Sequence, residues 1–329
     1  MAYQGRDDRA LKSTWAAIFR GALPEAPPPR TLPGKPRVGF LVTRGHEGSF
    51  LRAMAGILNR LPAEHYDLIL ACSGSSGESL LRQGIHSAAV TYLPFPDRFD
   101  QSVPLLRAAR FNLLYFWEVG SDSINYFLPF FRLAPVQCTG WGWPVTSGIP
   151  AIDFYLSSAQ LETPESDAHY SERLIRLPRL PAWIDRPATP PAPLERQGLG
   201  LPDAGPMYLC VQNPLKIHPD FDSLAAGVLR SDPHGILVMV EHQQALITRA
   251  IRERLESSIG DLARRVRWLP RQSYANYLAL LASANVVLDT PHFGGGLTTY
   301  DTFAMGTPLI TCPGAFSRGR YAYAAYRQM

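Results

Sequence analysis

The sequence predicts an α/β protein made of two doubly wound, Rossmann-like domains that face a cleft. Three observations lead there. Short apolar runs alternate with amphipathic stretches along most of the 329 residues. Those runs are apolar almost throughout, as strands buried on both faces of a parallel sheet must be. The alternation breaks once, at the proline-dense stretch LPRLPAWIDRPATPPAPLERQGLGLPDAGP (177–206), and then resumes. With 46% hydrophobic residues the chain can fill two separate cores.

The elements follow in order. Residues 1–36 read as a lead-in, partly disordered, with a helix near Leu11 to Phe19 and then the proline-rich GALPEAPPPRTLPGKP. RVGFLVT (37–43) is the first strand. A helix follows in which Phe50, Met54, Ile57, Leu58 and Leu61 share one face. YDLILAC, AAVTYL, FNLLYFW and APVQCTG read as further strands, with helices between them. This sets a first domain at 37–177, a linker at 178–205 and a second domain at 206–329. In the second domain MYLCVQN, GILVMVE, RVRWLP, NVVLDT and PLITC are strands. PDFDSLAAGVLR, QQALITRAIRERLESSI and YANYLALLASA are helices, and another helix runs through Phe303. The last helix is barely complete at Met329, so the second domain is expected to be truncated.

Composition narrows the function. The net charge is +4, and its arginines are scattered, with no basic run that could track a phosphate backbone; nucleic acid is not expected as a partner. Cys72, Cys138, Cys210 and Cys312 are far apart and none lies in a CxxC, which suits small reduced core residues in a cytoplasmic protein. No signal architecture opens the chain, and no uninterrupted apolar segment approaches the ~18 residues of a membrane span.

The densest signal is LDTPHFGGGLTTYDTFAMGTP (288–308). Gly294, Gly295 and Gly296 follow a strand and precede a helix. They are expected to take positive φ and let the backbone approach a ligand. The helix start near Thr298, with its free N–H groups and the Thr298 and Thr299 hydroxyls, suits a diphosphate. Asp301, one turn on, suits a ribose diol. An ordinary N-cap at Thr298 describes the same residues. Lys216, in VQNPLKIHP after a strand, can neutralise a departing diphosphate, although a loop lysine is usually solvated. His46, in TRGHEG after the first strand, can position an acceptor or take its proton. Glu118 and Asp122, in FWEVGSDS, are candidate bases or sugar-hydroxyl acceptors; capping or solvated roles fit them as well.

APVQCTGWGWPVTSGIPAIDF (134–154), LKIHP (215–219) and VVLDTPHFGGGLTTYDTFAMGTPLITCPGAFSRGR (286–320), in that order and spacing, resemble the catalytic region of the O-GlcNAc transferase/SPINDLY family. The resemblance spans roughly residues 37–329. It implies a GT-B fold and inverting, metal-independent transfer of GlcNAc or another hexose from a UDP-sugar to a protein or glycan. Carried over by residue, it places Lys216, Thr298 and Thr299 at the diphosphate, with Gly295 and Gly296 beside them. Asp301 falls at the ribose, Asn213 and Tyr277 at the uracil, His46 at the acceptor, and Gln137 and Pro144 along the cleft. The acceptor loop departs from the family's pattern: Phe116 and Gly120 stand where it commonly has Asp and His. No 34-residue repeat occurs. Two other functions stay open, a nucleotide-sugar 2-epimerase-like isomerase and a non-catalytic UDP-sugar-binding module.

Overall fold

A computed structural model describes residues 2–23, 27–62, 64–187, 192 and 194–329. The chain forms two compact units, Met1–Arg6 with Arg186–Met329, and Asp7–Asp185. Part of the expected linker, at 188–191 and 193, lies outside the described residues.

The unit Asp7–Asp185 is built on a seven-stranded, all-parallel sheet. Its strands are β1 (Arg37–Val42), β2 (Asp67–Ser73), β3 (Val90–Phe95), β4 (Leu113–Phe116), β5 (Val136–Gly140), β6 (Phe154–Ser158) and β7 (Arg173–Leu177). Their spatial order is β3-β2-β1-β4-β5-β6-β7. The helices are α1 (Arg9–Ala17), α2 (Glu47–Leu58), α3 (Gly74–Leu81), α4 (Phe99–Ala108) and α5 (Ser123–Phe127). Leu41, Ala71, Leu114 and Phe116 from the strands meet Leu106 and Phe111 in one buried core.

Residues 7–23 are part of this unit. Ala16 of α1 is 1% exposed, and Phe19 stands edge-on to Phe127 with ring centroids 4.9 Å apart. Burial of these apolar groups holds an otherwise short helix in place. Gly148, at φ 74°, lets the backbone of α1 lie against the TSG loop: a Cβ there would sit 2.3 Å from the Lys12 carbonyl carbon.

The second unit carries a five-stranded parallel sheet of β8 (Met207–Cys210), β9 (Ile236–Val240), β10 (Val266–Leu269), β11 (Val286–Leu288) and β12 (Leu309–Ile310), in the order β10-β9-β8-β11-β12. Its helices are α6 (Asp220–Ser231), α7 (Ala245–Ile259), α8 (Tyr274–Ser283), α9 (Leu297–Ala304) and α10 (Tyr321–Gln328). Leu237 and Met239 of β9 pack on Phe221, Leu229 and Leu255, while Ile236 and Val238 pack on Leu278, Leu281 and Ala322. The sheet is therefore covered on both faces, as its apolar strands require.

In each sheet the strand order reverses once: between β1 and β4 in the first, and between β8 and β11 in the second. Loops that leave the carboxyl ends of those neighbouring strands diverge and open a crevice.

Candidate functional site

Both polar clusters singled out in the sequence lie at these reversals. In the second unit, the loop after β8 supplies Gln212 to Lys216 and the loop after β11 supplies Asp289 to Gly296. Lys216 Nζ donates to Gly294 O at 3.0 Å and to Gln212 Oε1 at 3.3 Å, and it lies 4.6 Å from the Phe293 ring centroid. Burial pulls its pKa down to about 8, against the partial support of Asp289. Gln212, 2% exposed, passes the connection on: its Nε2 donates to Thr298 Oγ1 at 2.8 Å. That leaves the Thr298 hydroxyl proton to be given to something else.

Thr299 differs from the expectation. It is wholly buried, and its hydroxyl donates to Gly295 O at 2.6 Å, so it braces the loop and has no proton for a phosphate. The glycines also do a different job. None of Gly294, Gly295 and Gly296 has positive φ; His292, just before them, does, at 68°. Gly294 and Gly295 are needed for closeness. A Cβ on Gly295 would sit 2.3 Å from Thr298 Oγ1 and 2.5 Å from Gln212 Nε2, and one on Gly294 would sit 2.5 Å from Asp289 Oδ2. Gly296 is the residue before α9, whose first N–H groups lack partners within the helix.

Asp289 was not anticipated. It is 7% exposed and accepts from Gly295 N at 2.8 Å, Thr290 N at 3.0 Å and Thr311 Oγ1 at 3.0 Å. Burial raises its pKa, and these donors together with Lys216 only partly offset that. Gln212 was passed over for its neighbour Asn213, which is exposed and caps Leu215 N at 3.0 Å. The signal for both missed residues was a polar side chain immediately beyond an apolar strand.

Asp301 and Tyr277, expected at a ribose and a uracil, are hydrogen-bonded to each other. Asp301 is 2% exposed and accepts from the hydroxyls of Tyr277 at 3.1 Å and Tyr274 at 3.2 Å. The Tyr277 ring is stacked under that of Tyr274, which is 51% exposed. Along the carboxyl edge of β8 and β9 a pocket of about 310 Å³ is lined by Gln212, Asn213, Glu241, His242 and Arg271, among others.

In the first unit the loops after β1 and β4 bring together His46, Glu118 and Asp122. His46 Nδ1 lies 2.7 Å from Glu118 Oε2, and its Nε2 lies 3.2 Å from Asp122 Oδ2. Hydrogen bonds to Asp122 and then Glu118 raise the His46 pKa to about 10, so it is an imidazolium at neutral pH. With both ring nitrogens facing carboxylates, the arrangement suits the positioning role expected of His46 better than the proton-taking one. The carboxylates are themselves held: Ser49 Oγ donates to Glu118 Oε1 at 2.5 Å, Thr43 Oγ1 to Asp122 Oδ2 at 2.6 Å, and Asn125 N to Asp122 Oδ1 at 2.8 Å. Burial works against the Asp122 charge, but His46, Asn125 and Thr43 win, and its pKa is lowered. Glu118 has φ 57°, a costly conformation for a non-glycine residue that is often found at functional loops.

Gln137 and Pro144 are buried and structural. Gln137 Nε2 donates to Pro129 O at 2.9 Å and Ala151 O at 2.7 Å, and its Oε1 accepts from Leu133 N at 2.8 Å. The nearby TSG loop is clamped by Glu172, which accepts from Thr146 Oγ1 at 2.6 Å and Ser147 N at 2.7 Å. This stretch shapes the fold and offers no free polar group of Gln137 to a ligand.

One acidic pair in the chain has DxD spacing, Asp220 and Asp222, which the metal-free expectation left out of account. Asp222 is buried and gripped by Arg254 through two bonds of 2.9 and 2.8 Å, so the two do not act as a metal-binding pair.

Two parallel, doubly wound sheets with polar clusters at their reversals define a protein of the GT-B fold class. The fold overlays a Thermobaculum terrenum O-GlcNAc transferase (K341M mutant) with a TM-score of 0.81 at 23% identity, over 99% of this chain and 62% of that one. It overlays Anabaena HepE in complex with UDP-glucose with a TM-score of 0.51 at 12% identity, over 85% and 81%. In sequence the chain is a relative of proteins described as probable UDP-N-acetylglucosamine–peptide N-acetylglucosaminyltransferases. It is 28% identical to SPINDLY of Solanum lycopersicum over 188 residues, and 26% identical to SEC of Arabidopsis thaliana over 187. These matches take in 56% and 55% of this chain but only 20% and 19% of the relatives, so the chain spans about a fifth of the curated proteins it matches. No family model matches. Among the described residues no helix is long and apolar enough to cross a membrane.

Proposed function

We propose that the chain is a glycosyltransferase that moves a sugar, GlcNAc or another hexose, from a UDP-sugar to a hydroxyl or amide of a protein or glycan, with inversion. The observation that carries this reading is the half-buried Lys216 at the β8/β11 reversal, joined through Gln212 to Thr298 at the start of α9. Together they make a built site for a diphosphate. In the reaction the acceptor attacks the anomeric carbon as the bond to the diphosphate breaks. Lys216, the first N–H groups of α9 and the Thr298 hydroxyl take up the charge that develops on UDP. The nucleoside occupies the pocket beside Asn213 and Arg271. On the acceptor side, Glu118 and Asp122 are the groups that accept hydrogen bonds or a proton, and the His46 imidazolium holds them in place. The positive field comes from Lys216 and the helix terminus, so no metal is needed at the diphosphate. Unpaired cysteines, three of them buried, support a cytoplasmic setting.

Incubation with UDP-GlcNAc and candidate acceptors, followed by mass spectrometry of all products, tests the proposal. A glycosylated acceptor is expected. Release of an epimerised sugar, or UDP binding with no turnover of any donor, would replace it with an isomerase or a binding module.

A further inference from the structure

Beside the diphosphate loops, three side chains converge that the proposed transfer does not use. His218 lies two residues after Lys216, Asp220 opens α6, and His292 lies in the loop after β11. Asp220 Oδ2 is 2.7 Å from His292 Nε2 and 3.4 Å from His218 Nδ1, and the three potential ligand atoms all lie within 4.8 Å of one another. A tetrahedral zinc ion with ligand bonds of about 2.0–2.1 Å spaces its ligands roughly 3.4 Å apart. Opening the shorter contact by less than ~1 Å, and bringing the two histidine nitrogens from within 4.8 Å to the same spacing, admits the ion.

The rings are held for this. They pack edge to face with centroids 4.5 Å apart at 84°. Asp220 N–H donates to His218 Nδ1 at 3.3 Å, which marks that nitrogen as unprotonated; a metal ion would displace this long bond. His292 keeps a left-handed backbone, φ 68°, which is costly for a non-glycine residue. The glycine at position 5 packs so closely that a Cβ there would lie 2.3 Å from His292 Nδ1, so Nε2 is the nitrogen left facing Asp220. Behind the loop, Arg254 donates to Ile217 O at 3.0 Å while gripping Asp222. A simple hydrogen-bonded staple needs one histidine on Asp220. Here two imidazole nitrogens are aimed at one carboxylate oxygen, and Asp220 is exposed enough for an ion to enter from solvent.

We propose that His218, Asp220 and His292 bind a divalent transition metal of the zinc class, with a fourth position open to water or an exchangeable ligand. Two imidazoles and one carboxylate suit zinc, nickel, cobalt or copper, and suit calcium or magnesium poorly. The ion takes the place of the proton between His292 Nε2 and Asp220 Oδ2. The site does not depend on the transferase reading, because the diphosphate charge is met by Lys216.

The test uses the full chain, stripped with EDTA and dialysed free of it, titrated with Zn²⁺ by calorimetry; Co²⁺ serves as an optical reporter of tetrahedral coordination. One Zn²⁺ per chain is expected to bind, and Zn²⁺ is expected to raise the melting temperature. His218→Gln and His292→Asn should each weaken binding by about tenfold or more, and the double variant should lose both effects. Cys312→Ser should leave them intact. Asparagine tolerates the left-handed backbone at 292. If that variant nonetheless unfolds, His218→Gln decides alone, since it leaves the His292–Asp220 contact in place. Zn²⁺ binding that is equal in wild type and His218→Gln, or absent from wild type, would overturn the proposal.

Discussion

Lys216 makes the donor-site reading quantitative. Its pKa of about 8 in the free protein is set first by burial, against an ordinary value of 10.5. A folded-state pKa below the unfolded value means the buried charge costs stability below about pH 8, and that cost fades as pH rises toward 10.5. A bound diphosphate reverses the balance by keeping the ammonium charged. UDP should therefore bind the protonated form, and binding near pH 8 should take up roughly half a proton. The protonated fraction falls from about nine-tenths at pH 7 to about one-tenth at pH 9, so UDP affinity should weaken roughly tenfold across that range. Titration calorimetry at several pH values, in two buffers of different ionisation enthalpy, reads both quantities. Lys216→Ala should bind more weakly at pH 7 and lose the alkaline fall-off, and it also subtracts any titration of the nucleotide itself. Affinity that is flat in wild type, or a slope that survives in Lys216→Ala, would refute the assignment of this lysine to the diphosphate.

The remaining expectations separate roles that look alike in sequence. Thr298→Val should weaken UDP far more than uridine. Thr299→Val should instead lower stability by about 1–3 kcal/mol, because Gly295 O loses its donor; thermal melts and UDP titrations of the two variants distinguish them, and equal effects of both on UDP would contradict it. His46 should keep its proton well above neutrality. Its folded-state pKa is raised from 6.5 to about 10 by Asp122 and Glu118, so its ion pairs stabilise fully below about pH 6.5 and progressively less as pH climbs toward 10. An imidazole NMR titration midpoint near 6.5 would disprove this. UDP binding should persist undiminished in EDTA; loss with EDTA and recovery with manganese would show that a metal takes part at the diphosphate.

Much of the fold was legible because strands buried on both faces must be apolar throughout. The loops that carry the site follow from where those runs stop; the strand orders that bring those loops side by side do not. The strands at 154–158 and 173–177 were harder to see: FYLSS and RLIRL mix polar with apolar residues, and RLIRL is one of the two edge strands of its sheet. In the site, positions were readable and orientations were not. Lys216 was placed correctly in its loop, but no local pattern says that Thr298 keeps a hydroxyl proton while the adjacent Thr299 gives its own to Gly295 O. Likewise "GGG" suggested unusual dihedrals, when the need was for absent side chains beside Gln212 and Asp289. Gln137 looked like a ligand group because it is polar in a recognisable motif; only the packing shows Pro129, Leu133 and Ala151 using its whole amide.

The first six residues fold with the unit that otherwise begins at Arg186. Tyr3 stands against Phe293, whose ring lies beneath Lys216, with centroids 4.9 Å apart. Arg318, 3% exposed, gives its guanidinium hydrogen bonds to the carbonyls of Ala2 and Arg6. The chain therefore passes between the units twice, and a cut in the 186–193 stretch does not sever them. An isolated fragment starting at Arg186 would leave a buried guanidinium short of two acceptors and strip the cover from Phe293. A dissection of this protein keeps its second unit whole only if the N-terminal hexapeptide travels with it, supplied in trans or joined by circular permutation.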